Sequence, residues 1–142
     1  RMAMETQVGV YFKKISEKLE RRANCEGDKR DITFSQGKVL WYLHKHEGED
    51  VTMRDIEKFF DCSHATVSGI VSRLVEKGYV AVETDKNDRR AKNVRTTEKE
   101  NASFRDMKMR HRKMEDILLR GFSDEEKKAF ISFLDRVYGN LE

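Results

Sequence analysis

Within "TDKNDRRAKNV", residues 84–94, four cations crowd a short polar stretch: Lys86, Arg89, Arg90 and Lys92. Guanidinium groups held on such a tip suit phosphate oxygens and the electronegative floor of a narrow DNA minor groove. Asp88 stands among them, where a carboxylate bonds nearby backbone amides or fixes the direction of an arginine. A second group lies upstream, where Ser63, His64, Ala65, Thr66, Ser68, Gly69, Ser72 and Arg73 are small, polar or basic. Small side chains let a helix come close to base edges, and the start of a helix offers amides and a dipole to a phosphate. The plainer alternatives are a solvated charged loop for the first group and an ordinary amphipathic helix for the second.

Both groups need elements to hold them. "GYVAVE" and "VRTT" flank the cationic stretch and alternate apolar with polar residues, so the segment is expected to be a β-hairpin with a long polar loop. Upstream, Val67, Ile70, Val71 and Leu74 make a helical stripe that Ser63 can cap and Gly78 can stop. Before it, "VTMRDIEKFF" suits a short helix with Thr52 as cap and Asp55 in its first turn, with Ile56, Phe59 and Phe60 facing inward. "DCS" makes the turn between them. Two short helices, a tight turn and a hairpin in series are the outline of a helix-turn-helix, with the second helix presented to a major groove.

Around this middle lie longer helices. Thr33 and Gln36 form a capping box for a helix carrying Val39, Leu40 and Leu43, which Gly48 ends. Val8, Phe12, Ile15 and Leu19 recur at helical spacing near the start, and "NCEGDKRD" breaks that pattern. Phe104, Met107, His111, Met114 and Leu118 continue a long helix to Gly121. Ser123 with Glu126 then opens a last helix striped by Phe130, Phe133, Leu134, Val137 and Leu141.

At 142 residues the chain has material for one domain. Charged residues reach 39%, against 37% hydrophobic, which points to elongated or oligomeric helical shapes with much solvated surface. A net charge of +3 is too mild to diagnose nucleic-acid binding, so the distribution of charge must decide. No apolar run approaches a membrane span, "RMAMETQV" lacks the apolar core of a secretion signal, and a cytoplasmic location is expected. Cys25 and Cys62 lack metal-ligand spacing and should be reduced thiols. His44 and His46 sit near Glu47, Glu49 and Asp50, but histidines two apart on a helix diverge, so a solvated helix end is favoured over a metal site. No nucleophile elbow, phosphate loop or paired-carboxylate arrangement supports catalysis, and no cofactor is expected.

"MRDIEKFFDCSHATVSGIVSRLVEKGYV" followed by "DKNDRRAKNVRTTEKE" resembles the winged helix-turn-helix core of MarR-type transcription regulators, and the flanking helices resemble that family's dimerisation region. Asp88 and Arg90 match the family's Asp-x-Arg pair in the wing. Lys86 replaces the usual wing proline, and Thr96 and Glu100 replace the Leu and Gly that usually follow the wing. The resemblance implies a mostly α fold with a small β-hairpin wing: one MarR-like domain over residues 1–142, its core at 33–100 and dimerisation helices at 1–24 and 101–142. It implies a homodimer, more a repressor than an activator, on double-stranded DNA with a pseudo-palindromic operator. Ser63, His64, Ala65, Thr66, Ser68, Ser72, Arg73, Asp88, Arg89, Arg90 and Lys92 would meet DNA, with Arg90 in the minor groove and Asp88 orienting it. Phe12, Trp41, Tyr42, Met107 and His111 would line a cleft for a small aromatic or amphipathic effector, although such residues at helical spacing also suit plain core. The alternative function is a winged-helix protein-interaction or scaffold module that never meets DNA.

Overall fold

The computed structural model describes residues 7–26 and 31–142. The N-terminal "RMAMET" and the "GDKR" within the break after the first helix lie outside the described residues. Among those described, helices α1 (Val8–Glu26), α2 (Phe34–Lys45), α3 (Met53–Phe60) and α4 (His64–Glu76) precede strands β1 (Val80–Thr84) and β2 (Lys92–Thr96). Helices α5 (Glu98–Leu118) and α6 (Asp124–Gly139) follow. This is a mostly α winged helix-turn-helix fold with a two-stranded antiparallel hairpin as its wing.

The helix boundaries follow local chemistry. Thr33, Thr52 and Ser123 each form a reciprocal capping box, with Gln36, Asp55 and Glu126 respectively. The turn between α3 and α4 depends on Asp61, which takes a left-handed φ of 50°. There the Cys62 amide reaches Glu57 O at 3.0 Å and the Asp61 amide reaches Lys58 O at 3.3 Å. Asp61 thus does the work glycine usually does at a helix end. Gly78, with φ of 82°, ends α4 in the same way, and the Tyr79 amide bonds Leu74 O at 3.0 Å.

Two compact units divide the chain after Met107. In the first, Val39, Leu40, Leu43, Ile56, Val67, Val71, Leu74, Val80 and Val94 build the core, which α2, α3, α4 and the hairpin all share. Phe60 packs partly against it, but Phe59, expected inward, is 50% exposed. With Ile56 central and Phe60 alongside, Phe59 lies at the edge of the stripe and packs in a tilted arrangement on Tyr42, ring centroids 4.7 Å apart. The hairpin is tied to the helices through the Val94 amide, which donates to Val51 O at 2.7 Å. In the second unit the end of α5 turns at Gly121, φ 85°, and α6 follows with Phe122 against Phe130, centroids 5.8 Å apart.

The start of α5 is fastened from both sides. The Thr97 hydroxyl donates to Gly78 O at 2.6 Å and accepts the Glu100 amide at 3.4 Å, while the Thr97 amide donates to Tyr79 O at 3.1 Å. Glu100, standing where the resembled family has glycine, is fully buried and shares a 3.0 Å hydrogen bond with His44 Nε2. His44 is therefore a buried residue rather than a solvated helix end, and its ring stacks on Phe104 at 3.9 Å. Glu100→Leu strips this partner from a buried imidazole. It should cost about 1–3 kcal/mol, seen as a lower urea midpoint at unchanged m. An unmoved midpoint would show that the pair contributes nothing net.

Candidate nucleic-acid interface

Helix α4 buries Val67, Val71 and Leu74, so its remaining faces are settled by the 3.6-residue period. Ala65, Thr66, Gly69, Ser72 and Arg73 are exposed, and Ser68 is half-buried. At the N-terminus the Ser63 hydroxyl accepts the Thr66 amide at 3.2 Å and donates to Thr66 Oγ1 at 3.0 Å. His64 is exposed, and its Nδ1 lies 3.0 Å from Glu57 Oε2 on α3. That contact joins the two helices of the motif at the start of α4, and it is not legible in the sequence because the residues are seven apart on different elements.

In the wing, Val80 pairs with Thr96 and Thr84 with Lys92, leaving residues 85–91 as the loop. The loop is built on carboxylates. Asp85 Oδ2 accepts the amides of Asn87 at 3.0 Å and Asp88 at 2.9 Å, and Asp85 Oδ1 accepts Asn93 Nδ2 at 2.8 Å. The Asn93 amide, with smaller help from the two backbone amides, holds the Asp85 carboxyl below its usual range. Asp88 Oδ1 accepts the Arg90 amide at 2.9 Å and lies 3.4 Å from Arg90 Nε. Arg89, Arg90 and Lys92 are exposed.

Charge along the hairpin is unevenly committed. Arg95 pairs with Glu83 across the strands at 2.8 Å, and Lys92 Nζ donates to Thr84 Oγ1 at 3.0 Å. The side chain of Arg90 is 93% exposed despite its contact with Asp88. The tip therefore presents cations to solvent while the strands hold a neutral pair, an arrangement suited to backbone phosphates.

Asp85 and Asn93 had no place among the expected site residues. The signal was present: an Asp followed at two and three residues by amides it can accept is the pattern of an Asx-type turn. Of the residues expected around an effector, Tyr42 and Met107 are buried in the core of the first unit, Trp41 packs partly on it, and Phe12 is exposed on α1. Burial, then Asp55 and Glu49, raises the Tyr42 hydroxyl above its usual range. His111 belongs to the second unit and is half-buried. Cys25 is exposed, and the Cys62 thiol donates to Phe60 O at 3.4 Å. Among the described residues no cluster of His, Cys, Asp or Glu could hold a metal ion, and no helix is long and apolar enough to cross a membrane.

Comparison with known proteins converges on one family. The MarR family model matches residues 21–91. The uncharacterized HTH-type transcriptional regulator YwoH of Bacillus subtilis is 28% identical over 120 residues, covering 84% of this chain and 85% of that protein. The HTH-type transcriptional regulator BilQ of Clostridioides difficile is 24% identical over 110 residues, covering 78% and 74% respectively. Among solved structures, the S. aureus MepR–DNA complex superposes with a TM-score of 0.90 at 27% identity, covering 97% of this chain and 100% of that one.

Gly69 offers a test of what α4 faces. A Cβ built on it meets nothing within 4 Å, so the chain itself has no use for a glycine there. Gly69→Ala should raise stability by up to about 1 kcal/mol, the usual helix-interior difference, in denaturant unfolding. If DNA approaches this face closely, the same variant should bind duplex more weakly. A variant that is stabilised and binds as before would show that no close approach occurs at Gly69.

Proposed function

The chain belongs to the MarR family of helix-turn-helix transcription regulators, and on that premise we propose that it represses transcription as a homodimer bound to double-stranded DNA. The observation that carries this reading is the joint exposure, within one compact unit, of the small polar face of α4 and the cationic tip of the wing. In the proposed complex α4 enters the major groove. Thr66, Ser68, Ser72 and Arg73 meet base edges or their flanking phosphates, while Ser63, His64 and Ala65 face the backbone at the helix start. Arg90 enters the adjoining minor groove with Asp88 orienting it, and Arg89 and Lys92 stand over phosphates.

The dimer reading is supported by apolar residues that the single chain leaves bare: Val8, Phe12 and Ile15 on α1, and Phe130, Ile131 and Phe133 on α6. The domain scheme expected from sequence is part of this proposal, with residues 33–100 as the DNA-binding core and 1–24 and 101–142 as dimerisation regions, of which residues 1–6 lie outside the described residues. Two-fold symmetry then asks for a pseudo-palindromic operator, and a dimer lying across a promoter blocks it by occupancy. Relief by a small aromatic or amphipathic effector belongs to the same proposal. Phe59, half-exposed 6.3 Å from the Trp41 ring, is the apolar feature of the first unit that supports it. A cytoplasmic location follows from action on DNA.

Selection from random duplex DNA, followed by a salt titration, tests the proposal. Arg90→Ala removes one cation from each head, so the log–log salt slope should flatten by up to roughly two units at about 0.9 per phosphate. The exposed tip makes the fold indifferent to the change. A slope equal to that of the unaltered protein would return the wing to a solvated loop, and failure to select any duplex would favour a protein-interaction module.

A further inference from the structure

Asp85 lies at the mouth of the wing loop, just past the end of β1, and Asn93 lies in β2, where its register partner is Glu83. Their 2.8 Å side-chain hydrogen bond crosses the base of the loop that carries Arg89 and Arg90. The other oxygen of Asp85 fixes the loop itself through the Asn87 and Asp88 amides. Asp88 in turn accepts the Arg90 amide at 2.9 Å. On its other side Asn93 bridges to Thr52, the N-cap of α3, and the next residue, Val94, donates to Val51 O. A continuous chain of contacts thus runs from the start of the helix-turn-helix, through Asn93 and Asp85, to the backbone of Arg90.

The position also has a cost to the fold. Asn93 Oδ1 is buried without a hydrogen-bond partner, and asparagine is a poor strand former. An apolar β-branched residue would suit a half-buried strand position better if stability were all that mattered. The bond to Asp85 is what asparagine supplies and valine does not.

We propose that Asp85 and Asn93 form a latch that positions the wing arginines, Arg89 and Arg90, against DNA relative to α4. The inference rests on the DNA-binding reading above and names two positioning residues for it, neither of which touches DNA. Electrostatics alone gives Asp85 the opposite role, because a carboxylate near phosphates repels them and its removal should tighten binding.

The test uses Asp85→Ala, Asn93→Val and the double variant of the full chain, measured on a duplex selected with the unaltered protein. Each single variant should bind about ten-fold more weakly, a loss of about 1.4 kcal/mol. The double variant should bind no more weakly than the worse single one, since both break one latch. Asn93→Val changes no charge, yet its salt slope should flatten by up to roughly three and a half units, at about 0.9 per phosphate, as Arg89 and Arg90 of both heads lose their phosphates. Its unfolding midpoint should hold or rise, which a merely structural role does not produce. Wild-type affinity and slope in Asn93→Val, tighter binding by Asp85→Ala, or full additivity in the double variant would each overturn the latch while leaving DNA binding standing. Absence of any duplex binding by the unaltered protein would overturn the functional reading, and the latch with it.

Discussion

Val67, Val71 and Leu74 seat α4 in the core against α2, α3 and β1, and what the molecule presents outward follows from that seating. Each apolar position fixes the helix about its own axis, so the intervening residues have no choice of face. The end of α4 is then stopped by Gly78, and Thr97 binds Gly78 O to the start of α5. Helix, hairpin and the next helix are thereby built outward from one buried stripe. Changing an exposed residue of α4 alters recognition; changing a buried one alters where every exposed residue points.

What was legible in the sequence was mostly local. Capping boxes at Thr33, Thr52 and Ser123 involve partners three residues away, and such short-range chemistry survives without knowledge of the fold. The stripe of α4 was equally clear, because three of its members are wholly apolar and deeply buried. Phe59 was misplaced because period alone cannot say which edge of a wide stripe meets the core. His44 and Glu100 were illegible for a different reason. They lie 56 residues apart, and a buried polar pair looks in sequence like two ordinary surface residues. At the wing, the family resemblance drew attention to Asp88 and Arg90, while Asp85, with more hydrogen bonds to the loop, passed as a generic turn residue.

The modest net charge of +3 hides a division of labour. Acids and bases are paired along the strands, as in Glu83 with Arg95, while at the tip Arg89 and Arg90 stay exposed to a polyanion, Arg90 keeping its 3.4 Å contact with Asp88. Acids remain at the surface without spoiling it. Asp85 and Asp88 turn their oxygens toward backbone amides of their own loop, so their charge is directed inward to geometry. Glu57 does the same for His64 at the start of α4. Composition could not have distinguished this surface from a uniformly mixed one.

In the proposed complex two winged heads engage one duplex, each with α4 in a major groove and its wing in a minor groove. Chemical footprinting of the selected duplex reads both contacts at once, using guanine N7 methylation for the major groove and hydroxyl radicals for the minor-groove face. This arrangement requires two major-groove patches centred about one helical turn apart, or a multiple of it, each flanked by protected minor groove. A single patch, or protection confined to one groove, would contradict it.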